Sequence, residues 1–274
     1  MLKESEQELS LRQKNELEYH RKHALDNAAI LDKPFSWDVL EQPSRRWWNA
    51  YWQMFAYLKE LNLANKRVLI VGCGFGDDAL RVAKLGADVY AFDLSPDSLS
   101  IAKALAEREG LKISFEQMPA ESLIYENNFF DFVIARDILH HVDIPRTMSE
   151  IRRVSKPNAL FIVNEIYSHS FTNRIRHCAL VEKILYPRMQ RFIYGAGKPY
   201  ITEDERKLTE LDVQAITVSL RPLEFKKHFY FFVTRIVPGR FETLSKIDRI
   251  LLIILKPLAH LLAGRVIFSG HISE

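Results

Sequence analysis

One segment constrains the fold of this chain more than any other. Val68-Leu-Ile-Val-Gly-Cys-Gly-Phe-Gly-Asp-Asp-Ala-Leu80 is an apolar, strand-like run that ends in a glycine-rich turn and passes into helix-forming residues. Ala87-Asp-Val-Tyr-Ala-Phe-Asp93 follows as a second strand-like run closing on a carboxylate. Strand, turn, helix and acid-ended strand make a βαβ unit with a nucleotide-type cofactor at the turn. Gly72, Gly74 and Gly76 carry no Cβ, so their backbone can take positive φ and lie against a ligand. The helix expected from Asp77 aims unpaired N–H groups at the same place. Asp93, 17 residues beyond Gly76, is placed to accept from the vicinal hydroxyls of a ribose.

The glycine spacing is G-x-G-x-G, whereas a dinucleotide site asks for G-x-G-x-x-G and here meets Asp77 in the sixth position. Asp77 and Asp78 would also repel a pyrophosphate. A cofactor with a sugar and a cationic or zwitterionic tail suits these residues better. Strand-like runs near 67–71, 88–92, 113–116, 130–135 and 159–165 alternate with helical ones near 77–85, 96–109 and 145–154. This alternation predicts an α/β fold, a doubly wound, mostly parallel sheet of Rossmann-like type. Ligands of such sheets lie beyond the carboxyl ends of the strands, which puts Gly72, Asp93, Ala135 and Glu165 on one rim.

The chain resembles the class I S-adenosylmethionine-dependent methyltransferases that act on small molecules and lipids. Val68-Leu-Ile-Val-Gly-Cys-Gly-Phe-Gly76 is similar to that family's "VLDxGCGxG" motif, with Ile70 where an acidic residue often stands. Ala91-Phe-Asp93-Leu-Ser-Pro-Asp-Ser-Leu resembles the ribose-binding second motif. Gln117-Met-Pro-Ala-Glu121-Ser-Leu resembles the "D-A-E-x-L" segment over the adenine, with Pro119 in place of the usual Asp. Phe130-Asp-Phe-Val-Ile-Ala-Arg-Asp-Ile-Leu-His-His-Val-Asp143 resembles strand four and the "LHH" helix. Ile151-Arg-Arg-Val-Ser-Lys-Pro-Asn-Ala-Leu-Phe-Ile-Val163 resembles the turn into strand five, with Asn158-Ala159 for the usual glycine pair.

The resemblance implies S-adenosyl-L-methionine as cofactor and Gly72, Cys73, Gly74, Gly76, Asp93, Leu94, Ala120, Glu121, Ala135 and Arg136 around it. The N-terminal helix, with Tyr19 and His20, is expected as a lid. Methyl transfer is a displacement at an already activated carbon, so alignment of donor and acceptor dominates. A base is required only if the acceptor must lose a proton. The candidates are His140, His141, Glu165, Tyr167 and His169, with the two adjacent histidines expected on a helix and facing different ways. No His, Cys or carboxylate spacing of a metal site is visible. A nicotinamide-dependent oxidoreductase and a catalytically silent methyltransferase-like binding protein are the alternative readings.

Residues 1–64 read as a helical lid or cap, with an aromatic-rich helix at 47–58 packing on the sheet. Residues 65–274 read as the catalytic domain with helical insertions near 170–195 and 238–264. A terminal antiparallel hairpin, 225–234 with 265–269, is implied by the resemblance, with Phe229, Tyr230, Phe231 and Phe232 in core or pocket. After residue 165 the chain turns basic, 17 Lys+Arg against 10 Asp+Glu, where the first 165 residues carry 21 against 25. Arg174, Arg176, His177, Lys183, Arg188 and Arg191, interleaved with apolar residues up to Phe192, predict a basic amphipathic helix. Peripheral contact with a lipid surface is one expectation, a small-molecule acceptor another, and nucleic acid is not expected. The apolar stretch 247–263 is broken by charges and Pro257, too short to span a bilayer, and expected to be buried. With no secretory leader visible and only Cys73 and Cys178, far apart, a cytoplasmic setting is expected.

Overall fold

The computed structural model describes residues 11–185, 206–229 and 242–273. Along the chain these residues form α1 (Leu11–Asp26), α2 (Ala50–Glu60), β1 (Arg67–Val71), α3 (Asp77–Lys84), β2 (Asp88–Asp93) and α4 (Pro96–Arg108). There follow β3 (Ile113–Gln117), β4 (Phe130–Arg136), α5 (Ile144–Val154), β5 (Ser155–Ile166) and α6 (Ser170–Arg176). The described chain closes with α7 (Glu210–Thr217), β6 (Leu220–Phe229), α8 (Glu242–Ile254) and β7 (Arg265–Ile272). The seven strands make one sheet in the order β3-β2-β1-β4-β5-β7-β6. Strands β1 to β5 run parallel, and β7 lies antiparallel between β5 and β6.

A parallel strand covered on both faces needs a continuous apolar run, and Val68-Leu-Ile-Val71 supplies it. Alternation along β1 divides the core. Val68 and Ile70 join Phe55 and Leu58 of α2, Leu80 of α3 and Leu105 of α4 on one face. Leu69 and Val71 join Met148 and Ile151 of α5 and Val213 and Ile216 of α7 on the other. Helix starts follow local chemistry: the Ser95 hydroxyl accepts the Ser98 N–H at 3.2 Å with Pro96 next, and Asp143 accepts the Arg146 N–H at 3.0 Å.

The segment before the sheet is fastened to it. Arg81, 7% exposed, donates to the Tyr51 hydroxyl at 2.7 Å and the Ser36 carbonyl at 2.8 Å. Arg108 donates to the carbonyls of Leu31 and Lys33 at 2.7 and 2.9 Å. α1 packs along α4 and ends up over the carboxyl rim of the sheet.

The structure departs from the sequence expectations in three places. His140 and His141 lie in a turn between β4 and α5, not on a helix, because α5 starts only beyond them, capped by Asp143 with Pro145 in its first turn. β6 begins at Leu220, earlier than the predicted 225; Phe229 is buried, and Tyr230, Phe231 and Phe232 lie outside the described residues. The stretch 247–263 is only partly buried. Ile250, Ile253 and Ile254 are 53, 66 and 65% exposed, because α8 leans on the core through Leu252 while Arg249 stacks 3.5 Å above the Trp48 ring. Of the expected basic helix, α6 and a turn at Val181–Leu185 are described, whereas Arg188, Arg191 and Phe192 lie outside the described residues.

Candidate active site

Strand order reverses between β1 and β4, and a cavity of about 450 Å³ opens there at the carboxyl rim. Its wall comes from Gly72–Phe75 after β1, Phe92–Leu94 at the end of β2 and Met118–Glu121 after β3. Arg136–Ile138 and His140–Val142 after β4, Ile166 at the end of β5 and Arg265 at the start of β7 complete the floor. Gln13, Glu16, His20 and His23 of α1 form the roof.

The turn has the backbone that glycine permits. Gly72 has φ 63°, and a Cβ there would stand 2.5 Å from Ile138 Cγ1; Gly74 has φ 52° and open space where its Cβ would be. Asp93 ties the turn to β2: its Oδ2 accepts the Gly74 N–H at 2.7 Å and its Oδ1 the Ser95 N–H at 2.9 Å. Each oxygen keeps a second lone pair for a hydroxyl donor. Burial pushes the Cys73 thiol well up, which makes it a small neutral residue of the turn, not a nucleophile.

Charge in the cavity leans negative. Glu16, Asp77, Asp93, Glu121 and Asp137 stand against Arg136 and Arg265. Both arginines are already engaged. Arg136 Nε donates to Asp78 at 2.6 Å and Nη1 to Asp137 at 3.2 Å, while Arg265 meets Asp137 at 2.7 Å and Asn164 at 2.9 Å. Burial opposes ionisation of Asp137, but Arg265 and Arg136 prevail and hold its carboxyl down. Such a lining favours a cationic guest.

Two histidine–carboxylate pairs close one side. Glu165, with no exposed surface, accepts the N–H groups of Ile138 and Leu139 through Oε1 and bonds His140 Nδ1 through Oε2, all at 2.7 Å. His141 Nδ1 bonds Glu16 Oε1 of α1 at 2.8 Å, and the two imidazole centroids are 4.0 Å apart. Burial opposes the charge on Glu16, yet His141 and His20 outweigh it and hold the carboxyl at about 2. Burial likewise opposes the His20 imidazolium, but Glu16 and Asp93 raise its pKa.

Of the site residues named from sequence, Gly72, Cys73, Gly74, Asp93, Leu94, Ala120, Glu121, Arg136, His140, His141 and the lid residue His20 line the cavity. The others do not. Gly76 caps α3 behind the turn, a Cβ there meeting Ala102 at 2.9 Å, and Ala135 is buried within the sheet. Glu165 sits behind the histidine turn. His169 caps α6 by accepting the Phe171 N–H at 3.1 Å, and Tyr19 stacks on His23 beside the cavity. Sequence reasoning missed Gln13, Glu16, His23, Phe75, Asp137, Ile138 and Arg265. Glu16, His20 and His23 fall at i, i+4 and i+7, a single helix face, and that signal was open to reading. Arg265 had none.

The lining fits S-adenosylmethionine by chemistry: a carboxylate for ribose hydroxyls, apolar Phe92, Leu94 and Met118 for a flat base, and excess negative charge for sulfonium and ammonium groups. Among the described residues, no group of three or more His, Cys, Asp or Glu could hold a metal ion.

Comparison with known proteins bears on the family and the fold. Residues 69–163 match the methyltransferase domain family. The ubiquinone biosynthesis O-methyltransferase of Cereibacter sphaeroides is 35% identical over 101 residues, 36% of this chain and 41% of that protein. Its counterpart from Nitrosococcus oceani is 34% identical over 121 residues, 39% of this chain and 51% of that protein. The chain thus spans about half or less of the length of these curated relatives. Among solved structures, the magnesium protoporphyrin IX methyltransferase of Synechocystis PCC 6803 with bound SAH superposes with TM-score 0.56 at 14% identity, covering 96% of this chain and all of that one. The [4+2]-cyclase SpnF superposes with TM-score 0.58 at 20% identity, covering 96% of both chains. These two likenesses show the fold alone, and a cyclase among them illustrates that the fold does not choose the reaction.

Proposed function

We propose that the protein, whose residues 69–163 match the methyltransferase domain family, is an S-adenosylmethionine-dependent enzyme that methylates a hydroxyl of a small, apolar, aromatic acceptor. The observation that carries this reading is one enclosure holding the glycine turn, Asp93 and the His140–His141 pair. The O-methyltransferase relatives point to oxygen as the acceptor atom. S-adenosylmethionine, when bound, supplies a methyl group on a positively charged sulfur. The chain does the rest: Asp93 and the Gly72–Gly74 backbone orient the cofactor, Met118–Glu121 cover its base, and α1 excludes water. Alignment of acceptor oxygen and methyl carbon supplies most of the acceleration. One histidine of the His140–His141 pair takes up the hydroxyl proton. Calorimetry with S-adenosylmethionine, S-adenosylhomocysteine and NAD, then labelled methyl transfer to phenols, quinols, lipids and sugars, tests this. Binding of NAD alone, or label entering only protein or RNA, would overturn it.

The same reading extends to location. No helix of the described residues is long and apolar enough to cross a membrane. Exposed Phe171, Ile175, Leu180 and Ile184 lie on the α6 side, and exposed Ile250, Ile253 and Ile254 on α8. Thr172 Oγ1, donating to the Leu261 carbonyl at 2.7 Å, joins α6 to the turn after α8. Exposed Arg174, Lys183, Lys246 and Lys256 accompany these side chains, the composition of a surface that rests on anionic lipid. The protein then acts from the cytoplasm on acceptors dissolved in the bilayer. Flotation with anionic liposomes at low and high salt tests the contact, and no flotation at low salt would refute it.

A further inference from the structure

We propose that Glu16 of α1 is the positioning residue for His141, so that the proton acceptor of the reaction is assembled across two elements and exists only when α1 is seated on the rim. The inference rests on the methyl-transfer reading above. Glu16 and His141 are 125 residues apart in sequence and meet at 2.8 Å through Oε1 and Nδ1. A carboxylate on a polar surface helix has no need to be buried, and burying it is costly without partners. Glu16 is nevertheless 6% exposed, with its side chain turned into the cavity that also holds the glycine turn. Its second oxygen is shut off from solvent with no hydrogen bond, 3.6 Å from His20 Nε2. A fastening whose only task was to hold α1 down would work equally well outside the cavity. The carboxyl stays ionised because His141 and His20 outweigh its burial.

A carboxylate on Nδ1 selects the tautomer with the proton there and leaves the lone pair on Nε2, the arrangement by which a buried acid orients a histidine base. His141 is suited to the role because its side chain keeps 17% of its surface, whereas His140 is 3% exposed. The ionisable groups around His141 are Glu16 and His20 on α1, His140 in its own turn, Glu165 behind that turn, and Glu121, which accepts the Asp143 N–H. In the step, the acceptor O–H bond breaks and a new O–C bond forms. The C–S electron pair goes to sulfur, which becomes a neutral thioether. The proton goes to His141 Nε2, and the imidazolium so formed faces the Glu16 carboxylate until the proton leaves to solvent.

The test uses the full chain saturated with S-adenosylhomocysteine for spectroscopy and with S-adenosylmethionine for kinetics. In long-range ¹⁵N spectra, His141 is expected as the Nδ1–H tautomer, and Glu16→Gln should lose that signature while Glu16→Asp retains part of it. With a series of ring-substituted phenols, Glu16→Gln should lower kcat about 10- to 100-fold with KM little changed, the loss growing as the phenol becomes less acidic. Glu16→Asp should recover part of the rate. A His141 signal unmoved by Glu16→Gln, or a loss equal across the series, would overturn the proposal. If the wild type binds S-adenosylhomocysteine but methylates none of the phenols, the acceptor reading fails, and the ¹⁵N signature still decides whether Glu16 orients His141.

Discussion

Glu165 and His140 are joined at 2.7 Å across 25 residues of sequence, with no exposed surface on the carboxylate and 3% on the histidine. This pair shapes the rim. Because the same carboxylate also binds the N–H groups of Ile138 and Leu139, the chain after β4 turns over it and presents His141 to the cavity. Helix α5 then starts only at Ile144.

Replacing Glu165 with Ala strands two buried backbone N–H groups and an imidazole, and should cost about 2–4 kcal/mol of unfolding free energy. Glu165→Gln keeps an acceptor for the backbone and should cost about half as much. Urea titrations of the two variants give the comparison, and equal losses would argue against backbone capture as the main role of Glu165.

Asp93 has two jobs, holding the Gly74 N–H and, by our reading, the ribose. Asp93→Asn keeps one acceptor and weakens both interactions, and S-adenosylhomocysteine should bind about 10- to 100-fold more weakly, since hydrogen bonds to a charged group contribute about 1.5–3 kcal/mol. Calorimetry measures the loss, and unchanged affinity would remove Asp93 from the cofactor site.

The two turn glycines should respond differently to alanine. At Gly72 the new Cβ would lie 2.5 Å from Ile138 Cγ1 at a φ of 63°, so Gly72→Ala should displace the histidine turn and lower the melting temperature by several degrees. At Gly74 the Cβ meets nothing within 4 Å, so Gly74→Ala should cost only about 1 kcal/mol of backbone strain while placing a methyl group where the cofactor must approach. Thermal melts beside S-adenosylhomocysteine titrations separate the two effects.

Docking of α1 should depend on pH in both directions. Glu16 is held at about 2 against an ordinary 4.5, so its contribution is complete above pH 4.5 and is lost as pH falls toward 2. His20 is raised above 6.5, so its contribution is complete below pH 6.5 and is lost as pH climbs through the raised value. Amide exchange of α1 should therefore be slowest between about pH 4.5 and 6.5 after correction for intrinsic rates, and Glu16→Gln should flatten the profile.

The sheet and the glycine-turn side of the cavity are legible in local signals. Val68–Val71, the glycines after it, Asp93 and the capped starts at Ser95 and Asp143 are local signals, since strand periodicity, positive φ and helix capping act over a few residues. Their order along the chain then dictates a parallel sheet and a rim where the turn and Asp93 meet. Tertiary structure alone decided what stands opposite them. Arg265 reaches the cavity only because β7 runs antiparallel, which puts its first residue at the rim where its neighbour β5 ends. Glu16 reaches His141 only because Arg81 and Arg108 fasten the N-terminal segment and α1 packs along α4. The histidine turn is held in place by Glu165, which accepts the Ile138 and Leu139 N–H groups and bonds His140. The apolar face of α8 stayed exposed because only one side of that helix meets the core. The Glu16–His141 and Glu165–His140 contacts join residues 125 and 25 apart in sequence at 2.8 and 2.7 Å, a condition that no local pattern encodes.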